Sequence, residues 1–300
     1  MSILHRVARL VEDPPPEIAF EISEGGIAWA RRGRNLETGF QPLDPGVLAI
    51  TPVKDNVLAP EAFSAAVAAI GGGLPAGRKP KQKAAALLLP DFAARLAVLD
   101  FDSFPTNAEE QQALVRFRIK KTVPFDVDGA VISFQVQPRS GSKGADVIVA
   151  AVALEIAARY EQPFRAAGYH TGLVTTSTLA MLQLVEGGAV TAAVRLSGRV
   201  MTLAAVAASR LRLVRTVELE TAAVEEIGAV VFHTFAYLED ELRCRPEKVL
   251  LCGFGPCQDE LVQTLAAETQ VRVEPMRSRW GAPQGHNAGL FCYLESVMGA

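Results

Sequence analysis

Residues 99–137, LDFDSFPTNAEEQQALVRFRIKKTVPFDVDGAVISFQVQ, read as a strand, a capped helix, a sharp stop and a second strand. Asn107 suits the helix N-cap, where a side-chain oxygen accepts from first-turn N–H groups, and Glu110 stands at the capping-box position. Glu109 and Glu110 put negative charge at the positive end of the helix dipole, and Arg118, Lys120 and Lys121 put positive charge at the other end. Ala113, Leu114 and Phe117, widened by Val115 and Ile119, form the expected apolar face. Pro124 stops the helix, because the residue before a proline is pushed out of the α region. Beyond it Ile132, Phe134 and Val136 alternate with Ser133, Gln135 and Gln137, the pattern of a half-buried strand.

Upstream, Glu17–Ile22 and Gly26–Arg31 read as two strands joined by a Ser23-Glu24-Gly25-Gly26 hairpin. Leu36–Val53 adds a third strand and a Pro-rich return. Pro60 opens a helix whose apolar face is Ala62, Phe63, Ala66, Val67 and Ile70. After a Gly/Pro/Lys-rich loop over 72–83, Ala84–Leu89 is a continuous apolar run, the signature of a buried strand. Downstream, Arg139–Gly144 reads as a hairpin tip, Asp146–Ala153 as a strand, and Leu154–Ala167 as a helix with Pro163 under tension inside it. His170–Val174 is a strand and Ser177–Val185 a helix.

After Gly187-Gly188 the order starts again. Strands are expected at Ala189–Leu196, Arg199–Ala207 and Arg210–Val217. A long helix follows over Thr221–Leu242, with Val224, Ile227, Val231, Phe235, Leu238 and Leu242 on one face. Lys248–Cys252 is a buried strand, Gln258–Glu268 a helix, Val271–Val273 a strand, and Ala288–Met298 a closing helix. The plan is ββ(β)αβ twice, a repeat of element order without a repeat of residues.

Composition narrows the function. At 49% hydrophobic and 21% charged, 300 residues can bury a substantial core. A net charge of −3 gives no bulk attraction for nucleic acid. Cys244, Cys252, Cys257 and Cys292 lack metal-site spacing and read as reduced thiols, with no metal expected. The most apolar run, Val147–Leu154, is far short of the roughly 20 residues that span a bilayer. Ile3–Val11 has the pattern of a short amphipathic helix. His5, His170, His233 and His286 are scattered and join no nucleophile motif, so no catalytic residue is assigned. His233 is expected at the edge of the long helix's apolar face.

The opening stretch resembles the insertion subdomain of the PilM family, the actin-like, FtsA-related proteins of type IV pilus assembly. Lys121-Thr122-Val123-Pro124-Phe125 and Ser133-Phe134-Gln135-Val136 carry the likeness, together with Val249–Gly255, which resembles the family's strand-then-glycines loop past the adenosine. The resemblance implies an α/β, actin-like (ribonuclease H-like) fold of two lobes. It implies a leader over 1–16, and a first lobe at 17–89 and 163–188, completed by 281–300. It further implies an inserted subdomain at 90–162 and a second lobe at 189–280. Family cleft positions map onto Gly25, Gly26, Ser197, Gly198, Gly253 and Gly255.

At the residues that carry phosphate chemistry the sequence departs from the family. The first phosphate loop reads Glu21-Ile22-Ser23-Glu24-Gly25-Gly26 in place of Asp-Ile-Gly, with Glu24 repelling phosphate. The family lysine aligns with Ala28, and Trp29 reads as a core strand residue. In the second loop Arg195 replaces the metal-linked acid; it either binds phosphate directly or is a solvated charge at a strand end, and the second is simpler. The expectation is a degenerate cleft with no required cofactor, doubtful ATP binding and no hydrolysis. The family role implies a cytoplasmic adaptor held at the inner membrane by a PilN-like single-span protein through its N-terminal tail. The site expected for that tail is Arg116, Phe117, Lys120, Pro124 and Phe125. The alternatives are a GspL-like secretion component and an active actin-like ATPase or sugar-kinase relative. GspL continues into a membrane helix, which favours the pilus reading for a chain ending at Ala300.

Overall fold

The computed structural model describes residues 16–32, 35–71, 83–139, 143–182, 185 and 188–298. The amphipathic stretch at 3–11, most of the loop at 72–83, the 140–142 tip, and residues 183–184 and 186–187 lie outside them. Two five-stranded sheets form the frame. The first contains β1 (Ile18–Ser23), β2 (Gly26–Arg32), β3 (Leu36–Pro42), β4 (Lys83–Leu89) and β8 (Tyr169–Thr176), in the order β3-β2-β1-β4-β8. The second contains β9 (Thr191–Ser197), β10 (Val200–Ala207), β11 (Arg210–Glu218), β12 (Lys248–Cys252) and β13 (Arg272–Pro275), in the order β11-β10-β9-β12-β13. Pairing sense matches strand for strand: antiparallel across the two hairpins, parallel across the other two ladders. The repeated order of elements is therefore a repeated sheet.

Helices cover both faces, as parallel strands require. On the first sheet, Phe20, Ile22 and Leu87 pack against α1 (Pro60–Ile70) through Phe63 and Val67. They also pack against α3 (Leu154–Ala166) through Tyr160 and Phe164. The expected insertion boundary at residue 162 falls inside α3, whose buried face belongs to this first core. On the second sheet, Val194 and Leu203 pack against Ile227 and Val231 of α5 (Val224–Asp240) and Leu261 and Leu265 of α6 (Gln258–Thr269). Two helices fill the space between the sheets: α4 (Ser177–Met181) and α7 (Ala288–Met298). Small residues let them come close. Ala19, Ala28 and Ala86 face α7 from the first sheet, Ala193 and Ala204 from the second, and a Cβ on Gly289 would lie 2.8 Å from Ser177 Cα.

The stretch expected as the insertion holds a three-stranded sheet with order β5-β7-β6: β5 (Arg95–Phe101), β6 (Ala130–Pro138) and β7 (Ala145–Ala153). One face carries α2 (Ala108–Ile119). Asn107 Oδ1 accepts from Glu109 N at 2.9 Å and Glu110 N at 3.2 Å, as the sequence predicts. The expected apolar face needs correction. Val115 and Ile119, four apart, are buried against Leu99, Val147 and Val149, with Leu114 at the edge, while Ala113 is exposed and Phe117 is 63% exposed. Phe117 instead lies beside the Lys121 ammonium. The helix expected from Thr221 starts at Val224, because the Glu226 carboxylate folds back and accepts from the N–H groups of Glu220, Thr221 and Ala222. His233 is exposed.

Candidate functional site

The ends of β1 and β9 face each other across a cleft of about 530 Å³. Ser23, Glu24 and Gly25 of one hairpin line it, with Ser197 and Gly198 of the other, Gly253 and Gly255 after β12, and Gln284–His286 before α7. Five of the six expected cleft residues therefore meet. Gly26 does not: a Cβ there would sit 2.4 Å from the Phe40 ring and 2.5 Å from Gln41 O, so Gly26 serves the β2–β3 packing. Gly253 lines the cleft but is glycine for a structural reason, since its Cβ would lie 2.1 Å from Leu196 O. Sequence reading missed the Phe40–His286 pair, with ring centroids 4.6 Å apart. Burial, and then the charge of Arg195, push the His286 imidazole below its ordinary value. Among the described lining residues the only ionic side chain at neutral pH is Glu24, a poor setting for a polyphosphate.

Beneath the cleft lies a buried ion cluster. Glu21 and Arg195 each stand two residues before the end of their strand, at equivalent places in equivalent sheets. Arg195 is 3% exposed, which overturns its reading as a solvated strand-end charge. One guanidinium nitrogen donates to Glu21 Oε1 at 2.8 Å and to Gly285 O at 2.5 Å; the other donates to Asp91 Oδ2 at 2.8 Å. Glu21 Oε2 accepts from Leu290 N at 2.7 Å. Asp91 accepts from Thr178 N at 2.8 Å and Thr178 Oγ1 at 2.6 Å. The cluster joins both sheets, the turn after β4, α4 and α7. Burial raises the Glu21 carboxyl, with Arg195 and the Leu290 N–H pulling the other way. Burial also opposes the charged guanidinium, but Asp91 and Glu21 outweigh it and hold Arg195 above its ordinary value. Asp91 carried one sequence signal: a lone acid directly after the apolar run and Pro90. Ala28 is buried against α7, and Trp29 is half-buried against the first core.

The residues expected to hold a partner tail lie on the α2 side of the inserted sheet. Arg116 donates to Val127 O at 2.9 Å, Lys120 and Pro124 are exposed, and Phe125 packs partly into the inserted core. A second groove, of about 500 Å³, opens on the opposite face of that sheet. Ser133, Gln135 and Ile148 line it from the insertion, Thr175 and Leu179 from the first sheet and α4, and Leu211 from the second sheet. Gln137 closes one end by clasping Leu211, with bonds of 2.9 and 3.0 Å to its N–H and carbonyl. The lining carries no charged side chain among the described residues. β6 and β8 beside it are both edge strands. Among the described residues no group of three or more His, Cys, Asp or Glu is placed to hold a metal ion, and no helix is long and apolar enough to cross a membrane.

No family model matches the sequence, and no curated protein matches it. Solved structures do. A chain of a PilM–PilN type IV pilus biogenesis complex superposes with a TM-score of 0.73 at 18% identity, over 96% of this chain and 98% of that one. A Bacteroides thetaiotaomicron protein with an actin-like ATPase fold and unknown function gives 0.58 at 10% identity, over 91% and 94%. The cytoplasmic domain of EpsL, an inner-membrane component of the Vibrio cholerae type II secretion system, gives 0.52 at 10% identity, over 94% of each chain. The chain has the actin-like fold, as the sequence predicts.

Proposed function

We propose that this protein is a scaffold of a pilus-assembly or secretion machine, built on an actin-like frame whose nucleotide cleft has lost its chemistry. The observation that carries this reading is the Glu21–Arg195 pair. Both positions the family uses for metal-linked acids are turned inward and neutralise each other at 2.8 Å. An arginine there cannot ligate Mg²⁺, and among the described residues the cleft above it offers Glu24 and no lysine or arginine to phosphate. In this reading the two five-stranded sheets with their helices are the two lobes, and the β5-β7-β6 unit with α2 is the inserted subdomain. The protein acts at the inner face of the inner membrane, recruited by the tail of a PilN-like single-span protein. A GspL-like role in secretion is the nearest alternative.

The uncharged groove between the inserted sheet and α4 is the better seat for that tail than the α2 side. Two edge strands offer backbone pairing, and the Ser, Gln, Ile and Leu lining suits an uncharged, partly apolar extended segment. Two measurements test the reading. Calorimetry with ATP and Mg²⁺ should give no micromolar binding; binding that Mg²⁺ strengthens would restore the ATPase alternative. A pull-down with the tail of a single-span membrane protein encoded beside this chain should fail with Leu179→Lys and survive Arg116→Glu/Lys120→Glu. The reverse result would return the tail to α2.

A further inference from the structure

The outer face of the second five-stranded sheet carries a groove of about 400 Å³ between α5 and α6, and it shares no lining residue with either site above. Its walls are Phe232 and His233 of α5 and Thr264 of α6, with Gly228 at its floor. Phe232 is 55% exposed, and Ala229, Ala236 and Tyr237 continue an apolar stripe along α5 at helical spacing. Three exposed carboxylates, Glu225, Glu260 and Glu268, line the groove with no ion pair or hydrogen bond among the described residues, and no lysine or arginine lines it.

Gly228 supplies an independent observation. Glycine inside a helix weakens it relative to alanine. Packing does not demand glycine here: a Cβ would meet nothing nearer than Glu268 Oε2, at an ordinary 3.8 Å. Its φ is not positive. What the missing side chain does is leave the groove floor open. An exposed aromatic, an unfilled floor and, among the described residues, three acids with no cationic side-chain partner occur together at one place. A solvated helix face explains the acids alone; it does not explain Phe232 or Gly228.

We propose that the α5–α6 groove is a docking surface for a basic, apolar-faced helical segment of another protein. The apolar side of that segment covers Phe232 and the Gly228 floor, and its lysines or arginines meet Glu225, Glu260 and Glu268. The choice of occupant follows from charge complementarity, which favours a cationic partner and disfavours an acidic one. This face lies apart from the groove proposed for the membrane-protein tail, so one scaffold can hold two partners at once.

The test uses the full chain and a fluorescein-labelled Leu/Lys peptide of amphipathic helical pattern, with the Leu/Glu peptide of the same pattern as control, followed by anisotropy. The native chain should bind the Leu/Lys peptide saturably and the Leu/Glu peptide not at all. Phe232→Ser and Glu225→Gln/Glu260→Gln/Glu268→Gln should each weaken binding about tenfold or more, a loss of roughly 1.4 kcal/mol. Gly228→Leu fills the floor without changing charge and should weaken binding as much. Gly228→Ala, which fits without displacement, should melt higher and serves as the folded check if the leucine variant misfolds; it should weaken binding by a smaller factor. Equal affinity for both peptides, or binding indifferent to Phe232→Ser and both Gly228 variants, overturns the proposal. Self-association abolished by Phe232→Ser, without peptide binding, gives the face to a second copy and overturns it too.

Discussion

The ends of β1 and β9 hold equivalent positions in sheets of the same strand order, yet Glu21 stands in one and Arg195 in the other. In a fold with two like lobes, such positions face each other across the cleft. Like charges there need a counter-ion from outside; opposite charges need none. The opposite charges at the two strand ends thus form an internal tie between the two five-stranded sheets. The hairpins above them differ in the same spirit. Gly26 is pinned under Phe40, whereas a side chain at Gly198 would find open space, its nearest neighbour being Glu24 Oε2 at 3.7 Å.

The largest expected effect comes from breaking the tie at its cation. Arg195→Leu leaves Glu21 and Asp91 buried and uncompensated, and removing one partner of a buried ion cluster costs roughly 3–5 kcal/mol. Glu21→Gln should cost less, about 1–2 kcal/mol, since Asp91 still pairs with Arg195 and the amide oxygen can accept from Leu290 N–H. Urea unfolding of both variants measures the asymmetry. Equal costs would mean that Asp91 contributes little and that the cluster is a simple pair.

The elements and their order along the chain were legible because each carries a local signal: apolar runs for β4 and β12, a capping asparagine for α2, periodic faces for α1 and α5. The ion cluster was not. Glu21 and Arg195 are 174 residues apart, and Asp91 and Arg195 are 104 apart, so no window of sequence contains the partners. An arginine at a strand end looks solvated until the opposite sheet is in place. The face of α2 was misread for a related reason. Phe117 and Val115 are both apolar, and only the sheet beneath decides that Val115 turns inward. The uncharged groove is lined from three sheets that meet only in the folded chain. Of the cleft, the glycines could be found from the family pattern, whereas Phe40 and His286 gave no sign of meeting.

A second ionic tie sharpens the comparison, because it sits nearer solvent. Asp146 on β7 accepts from Arg139 and, at 3.1 and 3.2 Å, from Arg210 and Arg212 of β11, joining the three-stranded sheet to the second five-stranded sheet. Burial works to raise its carboxyl, but hydrogen bonds from Arg139 and Arg210 and the charges of Arg139 and Arg212 overcome this and hold it below the usual 3.8. A carboxyl depressed in the folded state stabilises fully above its unfolded value, and that stability is lost as pH falls through the folded one. Asp146→Asn should therefore cost about 1–1.5 kcal/mol near neutral pH. The difference from the native chain should shrink below about pH 4 and vanish in stronger acid. A cost unchanged across that range would mean that shape, not charge, makes the contact.

The smallest effects test the two hairpins against each other. Gly198 has φ +60, so alanine there enters the left-handed region and should cost about 1 kcal/mol, although space is open. Gly25 has neither restriction: nothing lies within 4 Å of its would-be Cβ, and its φ is not positive. Gly25→Ala should therefore be neutral or stabilising by up to roughly 0.5 kcal/mol, through the narrower unfolded ensemble. Glycine at a position that the fold does not require is where a phosphate's need for bare backbone would still show. With the cleft floor closed by Arg195, ATP titration of Gly25→Ala should match that of the native chain. A variant that keeps its stability but loses a measurable ATP affinity would put a nucleotide back into the cleft, and would make the Glu21–Arg195 tie a support for binding rather than its replacement.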